Sequence, residues 1–155
     1  MDTTYTLDSS EYFASYQVDV MNLNEYVSSS NILNVWVYLW GEYYSIVNTI
    51  ELNLIENQLT GNTPPEIGNL TNLTTLYLGN NSLSGSIPAE LASLTNLTTL
   101  SLSNNSLTGS VPAELGNLTN LTILWLNHNS LSGSIPPELG SLTNLTILYL
   151  QNNSL

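Results

Sequence analysis

The sequence contains no lysine, no arginine and no cysteine. Twelve aspartates and glutamates give the 155-residue chain a formal net charge of −12, and it has one histidine. Because it carries no lysine or arginine, the chain cannot neutralise nucleic acid phosphates, and anionic membranes repel it. Without cysteine it can form neither a disulfide framework nor a thiolate metal site. We therefore expect no nucleic acid partner, and a fold stabilised by packing and neutral hydrogen bonds.

Long apolar runs are also missing. No stretch approaches the roughly 18 residues of a membrane-spanning helix, so we predict no membrane insertion. The residues after Met1, DTTYTLDSS, lack the basic and apolar regions of a signal peptide. No signal peptide is therefore visible in this chain.

Signals for catalysis are equally scarce. His128 is the only histidine, and no aspartate follows Asp19. The sequence around His128 therefore offers no aspartate for a Ser-His-Asp triad. No glycine-rich phosphate loop is present. We predict a protein that is not an enzyme, with no catalytic residues, no metal and no cofactor.

What the sequence does contain is a repeat of 24 residues. The period relates leucines, asparagines, glycines and prolines along the second half of the chain. It relates Leu76, Leu100, Leu124 and Leu148; Gly85, Gly109 and Gly133; and Pro88, Pro112 and Pro136. A degenerate copy, IELNLIENQLTGNTPPEIGNL, precedes them. A fixed period of this length predicts a solenoid over 46–155, with its last coil incomplete.

The repeat LTNLTTLYLGNNSLSGSIPAELAS resembles the plant-type leucine-rich repeat. The resemblance implies an α/β solenoid, a right-handed superhelix with a parallel sheet on its concave side. It also implies extracellular recognition and no catalytic residues. We therefore expect an extracellular or cell-surface location.

Residues 1–45 do not repeat, and we predict that they form an N-terminal cap. Phe13, Tyr16, Val20 and Leu23 have the spacing of one helical face, and NVWVYLWGEYYS favours one or two strands. The cap of the plant-type family usually holds a cysteine pair, which this chain lacks. We expect a cap sealed by aromatic side chains instead.

Asparagine occupies two kinds of repeat position. One kind falls where each coil turns, and we expect a buried ladder there: Asn57, Asn81, Asn105, Asn129 and Asn153. The other kind forms N-glycosylation sequons, at Asn69, Asn72, Asn80, Asn96, Asn104, Asn117, Asn120, Asn144 and Asn152. Among the sequons we expect Asn72, Asn96, Asn120 and Asn144 to carry glycans if the protein is secreted.

Four other rows, each related by the 24-residue period, suggest binding surfaces. The exposed centre of the concave sheet should hold Tyr77, Ser101, Trp125 and Tyr149, with Ile123, His128 and Ile147 beside them. Aromatic faces of this kind suit sugar rings or a protein partner. Threonine rows, at Thr71, Thr95, Thr119 and Thr143 and at Thr74, Thr98, Thr122 and Thr146, have the regularity that an ice-binding face needs. A glutamate row, at Glu66, Glu90, Glu114 and Glu138, either is solvated or holds Ca²⁺ between coils.

The sequence leaves several functions open. The chain stops halfway through a coil, and Tyr149, Gln151, Asn153 and Leu155 would form an open assembly end. A head-to-tail contact between this end and the N-terminal segment would build a filament, and we predict a glycosylated, self-assembling structural subunit. The alternatives are a ligand-binding ectodomain for protein or carbohydrate, and an ice-binding protein.

Overall fold

The structure, a computed structural model, describes residues 36–155. They belong to one compact unit, Asn34–Leu155. The helix predicted around Phe13 lies outside the described residues. The first described element is an antiparallel hairpin, in which β1 (Trp36–Leu39) pairs with β2 (Glu42–Ser45).

The hairpin turns at Trp40 and Gly41, which have φ of 48° and 92°. Two residues with positive φ suit a tight turn whose twist matches that of the strands. Val37 and Leu39 are buried on one face of β1 and join the apolar core. Aliphatic side chains thus contribute to sealing this end of the core, together with the partly buried Trp40 and Tyr44.

Nine further strands build a solenoid with two parallel sheets. The concave sheet has the order β11-β9-β7-β5-β3 and the second sheet the order β10-β8-β6-β4. The concave strands are β3 (Glu51–Asn53), β5 (Thr75–Tyr77), β7 (Thr99–Ser101), β9 (Ile123–Trp125) and β11 (Ile147–Tyr149). The second-sheet strands are β4 (Thr60–Asn62), β6 (Ser82–Ser86), β8 (Ser106–Gly109) and β10 (Ser130–Leu131).

The two sheets follow different registers. In the concave sheet each residue lies opposite the residue one full period later, as Leu76 does opposite Leu100. In the second sheet the pairing is shifted by two residues, so that Ser84 lies opposite Ser106. Because side chains alternate along a strand, this even shift keeps Leu83, Leu107 and Leu131 on the inner face.

A short 3₁₀ helix closes each coil on the convex side. The four helices span Pro65–Asn69, Ala89–Ser93, Ala113–Asn117 and Pro137–Ser141. Each follows an extended proline, whose fixed φ prepares the chain for a helical turn. Among residues 36–155, no helix has the length and apolar composition needed to cross a membrane.

Leucine fills the space between the sheets and the helices. Leu76, Leu100 and Leu124 are fully buried because a coil packs on each side of them. Leu148, at the same position in the last coil, is 41% exposed. Burying one leucine side chain contributes roughly 1.5–3 kcal/mol, so the stacked leucines are the main source of stability in a chain without lysine or arginine.

The turn asparagines connect successive coils. In Asn105, Oδ1 accepts a hydrogen bond from the Leu83 amide, 3.0 Å away in the preceding coil. Its Nδ2 donates to the Leu78 carbonyl in that coil and to carbonyls of its own turn. Asn81, Asn129 and Asn153 repeat this pattern. Asn57, in contrast, is exposed: its side-chain amide donates to Ile55 in its own coil, and its backbone N–H donates to Oδ1 of Asn81.

Candidate binding surface on the concave sheet

The concave sheet presents two rows of outward side chains. In each strand the central leucine faces the core, so the residues on either side of it face outward. One row contains Glu51, Thr75, Thr99, Ile123 and Ile147, and the other contains Asn53, Tyr77, Ser101, Trp125 and Tyr149. Both rows change from polar to apolar towards β9 and β11.

Trp125 and Tyr149 form the main aromatic feature of this face. Their ring centroids lie 6.0 Å apart and their planes differ by 11°, so the rings stack. The indole N–H of Trp125 is buried and has no acceptor among the described residues. The aromatic pair expected from the sequence is therefore brought together, and it carries an unused hydrogen-bond donor.

Ser101 departs from the exposure expected for this row. The residue is only 2% exposed, because its side chain is small and lies between the larger side chains of Tyr77 on β5 and Trp125 on β9. Its hydroxyl lies 3.3 Å from the hydroxyl of Ser103, which is also buried. Ser101 is thus part of the floor of the surface.

A shallow depression of about 310 Å³ lies beside the aromatic pair. Gly79, Ser101 and Ser103 line it together with Trp125 and Tyr149. A Cβ atom at Gly79 would lie 3.2 Å from the Ser103 hydroxyl, so the absence of a side chain there keeps the depression open. No charged residue lines it.

His128 lies in a row of left-handed residues that the sequence analysis did not identify. The backbone φ angles of this row lie between 54° and 59°, a region that asparagine tolerates better than most residues. The row contains Glu56, Asn80, Asn104, His128 and Asn152. The Asn152 amide lies 3.0 Å from Nε2 of His128. The shared offset of 24 residues is the signal that could have revealed this row.

The four sequons expected to carry glycans hold the coils together. Each side-chain amide donates to a carbonyl of the preceding coil, as Asn96 does to Thr71 at 2.9 Å. Asn72, Asn120 and Asn144 donate in the same way to Val47, Thr95 and Thr119. All four are exposed, but their amide groups are already engaged.

The remaining sequons fall into two groups. Asn80, Asn104 and Asn152 are exposed members of the left-handed row. Asn69 and Asn117 are exposed at the last residue of a 3₁₀ helix. The two groups differ in backbone geometry, so a glycan would be attached to a different local conformation in each.

One of the two threonine rows also serves the structure. The Thr98 hydroxyl donates to the Thr74 carbonyl at 2.9 Å, and Thr122 donates to Thr98 in the same manner. Thr74 and Thr146 make equivalent bonds. The second row, Thr71, Thr95, Thr119 and Thr143, is exposed. The hydroxyls of the first row are therefore engaged in bonds to the preceding coil, although Thr146 is itself exposed.

The convex glutamates do not converge on a metal position. Glu66, Glu90, Glu114 and Glu138 are each exposed in the first turn of a 3₁₀ helix. Among the described residues, no group of three or more His, Asp or Glu side chains could hold a metal ion. Elsewhere, in the hairpin, burial and then the Glu42 carboxylate raise the pKa of Tyr44 above its ordinary value.

The last coil presents the residues expected at an assembly end. Tyr149 is 46% exposed, and Gln151 is also exposed. Asn153 is half-buried by its ladder bonds, and Leu155 packs partly against the core. β11 has a hydrogen-bonded neighbour on one side, β9.

A family model described as "Leucine-rich repeat region" matches residues 48–154, more than half of the chain. The chain belongs to the leucine-rich repeat family. The match begins after the hairpin and includes every strand of the solenoid. No curated protein matches the chain significantly.

Solved leucine-rich repeat structures agree with this assignment. The plant peptide hormone receptor RGFR1 in complex with RGF2 is 49% identical, with a TM-score of 0.66; the match covers 68% of this chain and 17% of that one. The Arabidopsis receptor kinase HAESA, in complex with the peptide hormone IDA and the co-receptor SERK1, is 43% identical, with a TM-score of 0.64 and coverage of 65% and 17%. This chain therefore spans less than a fifth of either receptor chain.

A plant ice-binding protein has the same fold. It is 42% identical, with a TM-score of 0.60, and the match covers 67% of this chain and 33% of that one. Repeats similar to those of this chain therefore occur in proteins with different functions. The function of such a chain depends on its outward side chains rather than on the fold alone.

The second sheet is a surface that the sequence analysis did not foresee. Its outward side chains are mostly short hydroxyls, on Thr60, Ser82, Ser86, Ser106, Thr108 and Ser130. The alternation of Ser with the buried Leu83 and Leu107 is the two-residue period of a strand, and it could have indicated this sheet.

Proposed function

We propose that this leucine-rich repeat chain is a non-catalytic, extracellular recognition module that binds a ligand on its concave sheet. The observation that carries the proposal is the stacked Trp125–Tyr149 pair beside an uncharged depression. Aromatic side chains at a concave surface supply contact area at little cost in conformational entropy. The rest of the outward surface is dominated by Asn, Ser, Thr and Glu.

The structural neighbours support this proposal. Two of the leucine-rich repeat receptors are solved with peptide hormones bound. They support a recognition role and an extracellular location for this chain, whose ligand can differ because ligand contacts depend on the outward residues of each repeat. The aromatic pair and the neutral depression are properties of this chain's own outward residues.

The proposal is tested by probing the labelled chain on a synthetic peptide array and an oligosaccharide array. Trp125→Ala should abolish any saturable signal, and Glu114→Gln, on the convex side, should leave it unchanged. Circular dichroism establishes that both variants are folded. A signal lost in Glu114→Gln and kept in Trp125→Ala would contradict the proposal, as would the absence of any saturable signal.

Self-assembly into a head-to-tail filament, which we expected from the sequence, receives no support from the comparisons. The surface that it would use is the unpaired side of β11, where Leu148 and Tyr149 are exposed. Sedimentation velocity tests it directly. Association that increases with concentration and is lost in Leu148→Asp would support it, whereas a monomer at every concentration would reject it.

Ice binding is a second candidate, and one specific observation favours it. The outward face of the second sheet carries short hydroxyl side chains and no charge on its strands. This face, rather than the hydrogen-bonded Thr74 row, would contact ice. The similar plant ice-binding protein supports the same candidate. Thermal hysteresis that disappears in Thr108→Tyr would support it; no hysteresis in the unchanged chain would reject it.

A further inference from the structure

We propose that the depression on the concave sheet binds a neutral sugar ring of the glucose type, presented by an oligosaccharide. This inference rests on the proposed function, because it names the ligand of the same concave surface.

The charge of the depression favours a neutral ligand. The chain carries twelve acidic residues and no lysine or arginine, yet no carboxylate lines the depression. A uronic acid or another anion would meet a negative protein with no positive partner. A cationic peptide would find no carboxylate inside the depression to replace its lost hydration. The nearby carboxylate of Glu56 lies 3.4 Å from the Asn80 amide, which donates to it.

The aromatic pair suits the flat face of a pyranose. Trp125 and Tyr149 lie nearly parallel, and the face of an aromatic ring is electron-rich. A glucose-type ring has all its hydroxyls equatorial, so its axial C–H groups, which are weakly positive, point towards such a face. A ring with an axial hydroxyl would bring a polar group against the aromatic surface and lose part of this contact.

The polar groups at the depression match the hydroxyls of a sugar. The Ser101 and Ser103 hydroxyls each donate and accept, and the Asn104 amide does both as well. A sugar hydroxyl is both donor and acceptor, so one ring can use several of these groups. A proline-rich peptide, the other ligand that aromatic grooves bind, offers acceptors and few donors.

The depression is small in volume but runs along the concave sheet, with lining residues from Ile55 in the first coil to Tyr149 in the last. Its volume of about 310 Å³ is at the lower end of the range of small-molecule sites. Gly79 contributes to this volume, because a Cβ there would lie 3.2 Å from the Ser103 hydroxyl and 3.3 Å from that of Ser101. A large side chain at Gly79 should therefore press against Ser101 and Ser103 and reduce this volume.

Calorimetric titration of the full chain tests the inference with four probes. These are the hexamers of β-1,4-linked glucose, β-1,4-linked mannose and α-1,4-linked galacturonic acid, together with hexaproline. We expect saturable binding of the glucose hexamer, weaker binding of the mannose hexamer with its axial hydroxyls, and none of the other two. Trp125→Ala and Gly79→Leu should each weaken glucose hexamer binding at least tenfold, and Glu114→Gln should not.

The outcomes separate this inference from the proposed function. Hexaproline or galacturonate binding that depends on Trp125, without glucose hexamer binding, overturns the inference and keeps the concave sheet as the ligand face. Absence of binding by all four probes overturns the inference, and an additional lack of any Trp125-dependent array signal overturns both. If Trp125→Ala fails to fold, Trp125→Phe preserves an aromatic ring without the N–H and should weaken binding by a smaller factor.

Discussion

The side-chain amide of Asn105 lies 2.9 Å from the carbonyl oxygen of Leu78, in the preceding coil. Its carbonyl oxygen accepts from the Leu83 amide of that coil. The same side chain also donates to Leu102 and Ser103 in its own coil. One asparagine therefore satisfies backbone groups of two coils.

Asn105→Ala should lower the free energy of unfolding by about 2–4 kcal/mol, because it leaves several partly buried backbone groups without partners. Asn57→Ala is the matched control, since the Asn57 side chain donates only within its own coil, and its backbone bond to Asn81 does not depend on that side chain. It should cost less than about 1 kcal/mol. Urea denaturation followed by circular dichroism measures both. Equal losses for the two variants would contradict a role in joining coils.

Gly68→Ala should destabilise the protein by about 1–3 kcal/mol through steric overlap. A Cβ at Gly68 would lie 2.5 Å from the backbone oxygen of Glu90 in the next coil. Gly140 occupies the same repeat position with nothing within 4 Å, so Gly140→Ala should change stability by less than about 0.5 kcal/mol. Thermal unfolding of both variants checks this. A larger loss for Gly140→Ala would show that close coil contact is not the cause.

In a eukaryotic secretory host, glycan occupancy at Asn117 should exceed that at Asn120. Both are exposed sequons of one coil. The Asn120 amide donates to Thr95 at 2.9 Å, so attachment there has to alter an inter-coil bond. Peptide mass spectrometry after enzymatic deglycosylation measures the two occupancies. Higher occupancy at Asn120 would agree with the sequence-based expectation and contradict this ranking.

Salt should raise the midpoint of thermal unfolding, and calcium should add nothing beyond its ionic strength. The net charge of −12 has no lysine or arginine to offset it, so screening reduces repulsion in the folded chain. The convex glutamates form no group of three in the described part of the chain. Calcium chloride and sodium chloride are compared at equal ionic strength. An extra, chelator-reversible increase with calcium would instead favour a site between coils.

The solenoid could be predicted because its determinants are local and repeated. Each 24-residue unit places leucine at the same depth, and Leu76, Leu100 and Leu124 are all fully buried. The hairpin turn at Trp40 and Gly41 was not predicted as such, although Gly after an aromatic residue is consistent with a positive φ. Its sealing residues, Val37 and Leu39, are part of an ordinary alternating strand.

The features that the sequence analysis missed depend on how coils stack. Thr98 and Asn96 look like solvated residues within one repeat, and their bonds to Thr74 and Thr71 exist only because the preceding coil lies alongside. Ser101 is buried because of what the neighbouring coils carry, not because of its own polarity. The register of the second sheet, in which Ser84 lies opposite Ser106, likewise cannot be inferred from the period.

The most direct test of the concave ligand face is the indole N–H spectrum of the nitrogen-labelled chain. The sequence contains three tryptophans, and Trp125→Phe identifies the signal of the one on the concave sheet. On titration with the β-1,4-linked glucose hexamer, the Trp125 signal should shift while those of Trp36 and Trp40, in and beside the hairpin, remain in place. A shift confined to Trp36 or Trp40, or no shift of any of the three, would contradict the assignment of the concave depression as the binding site.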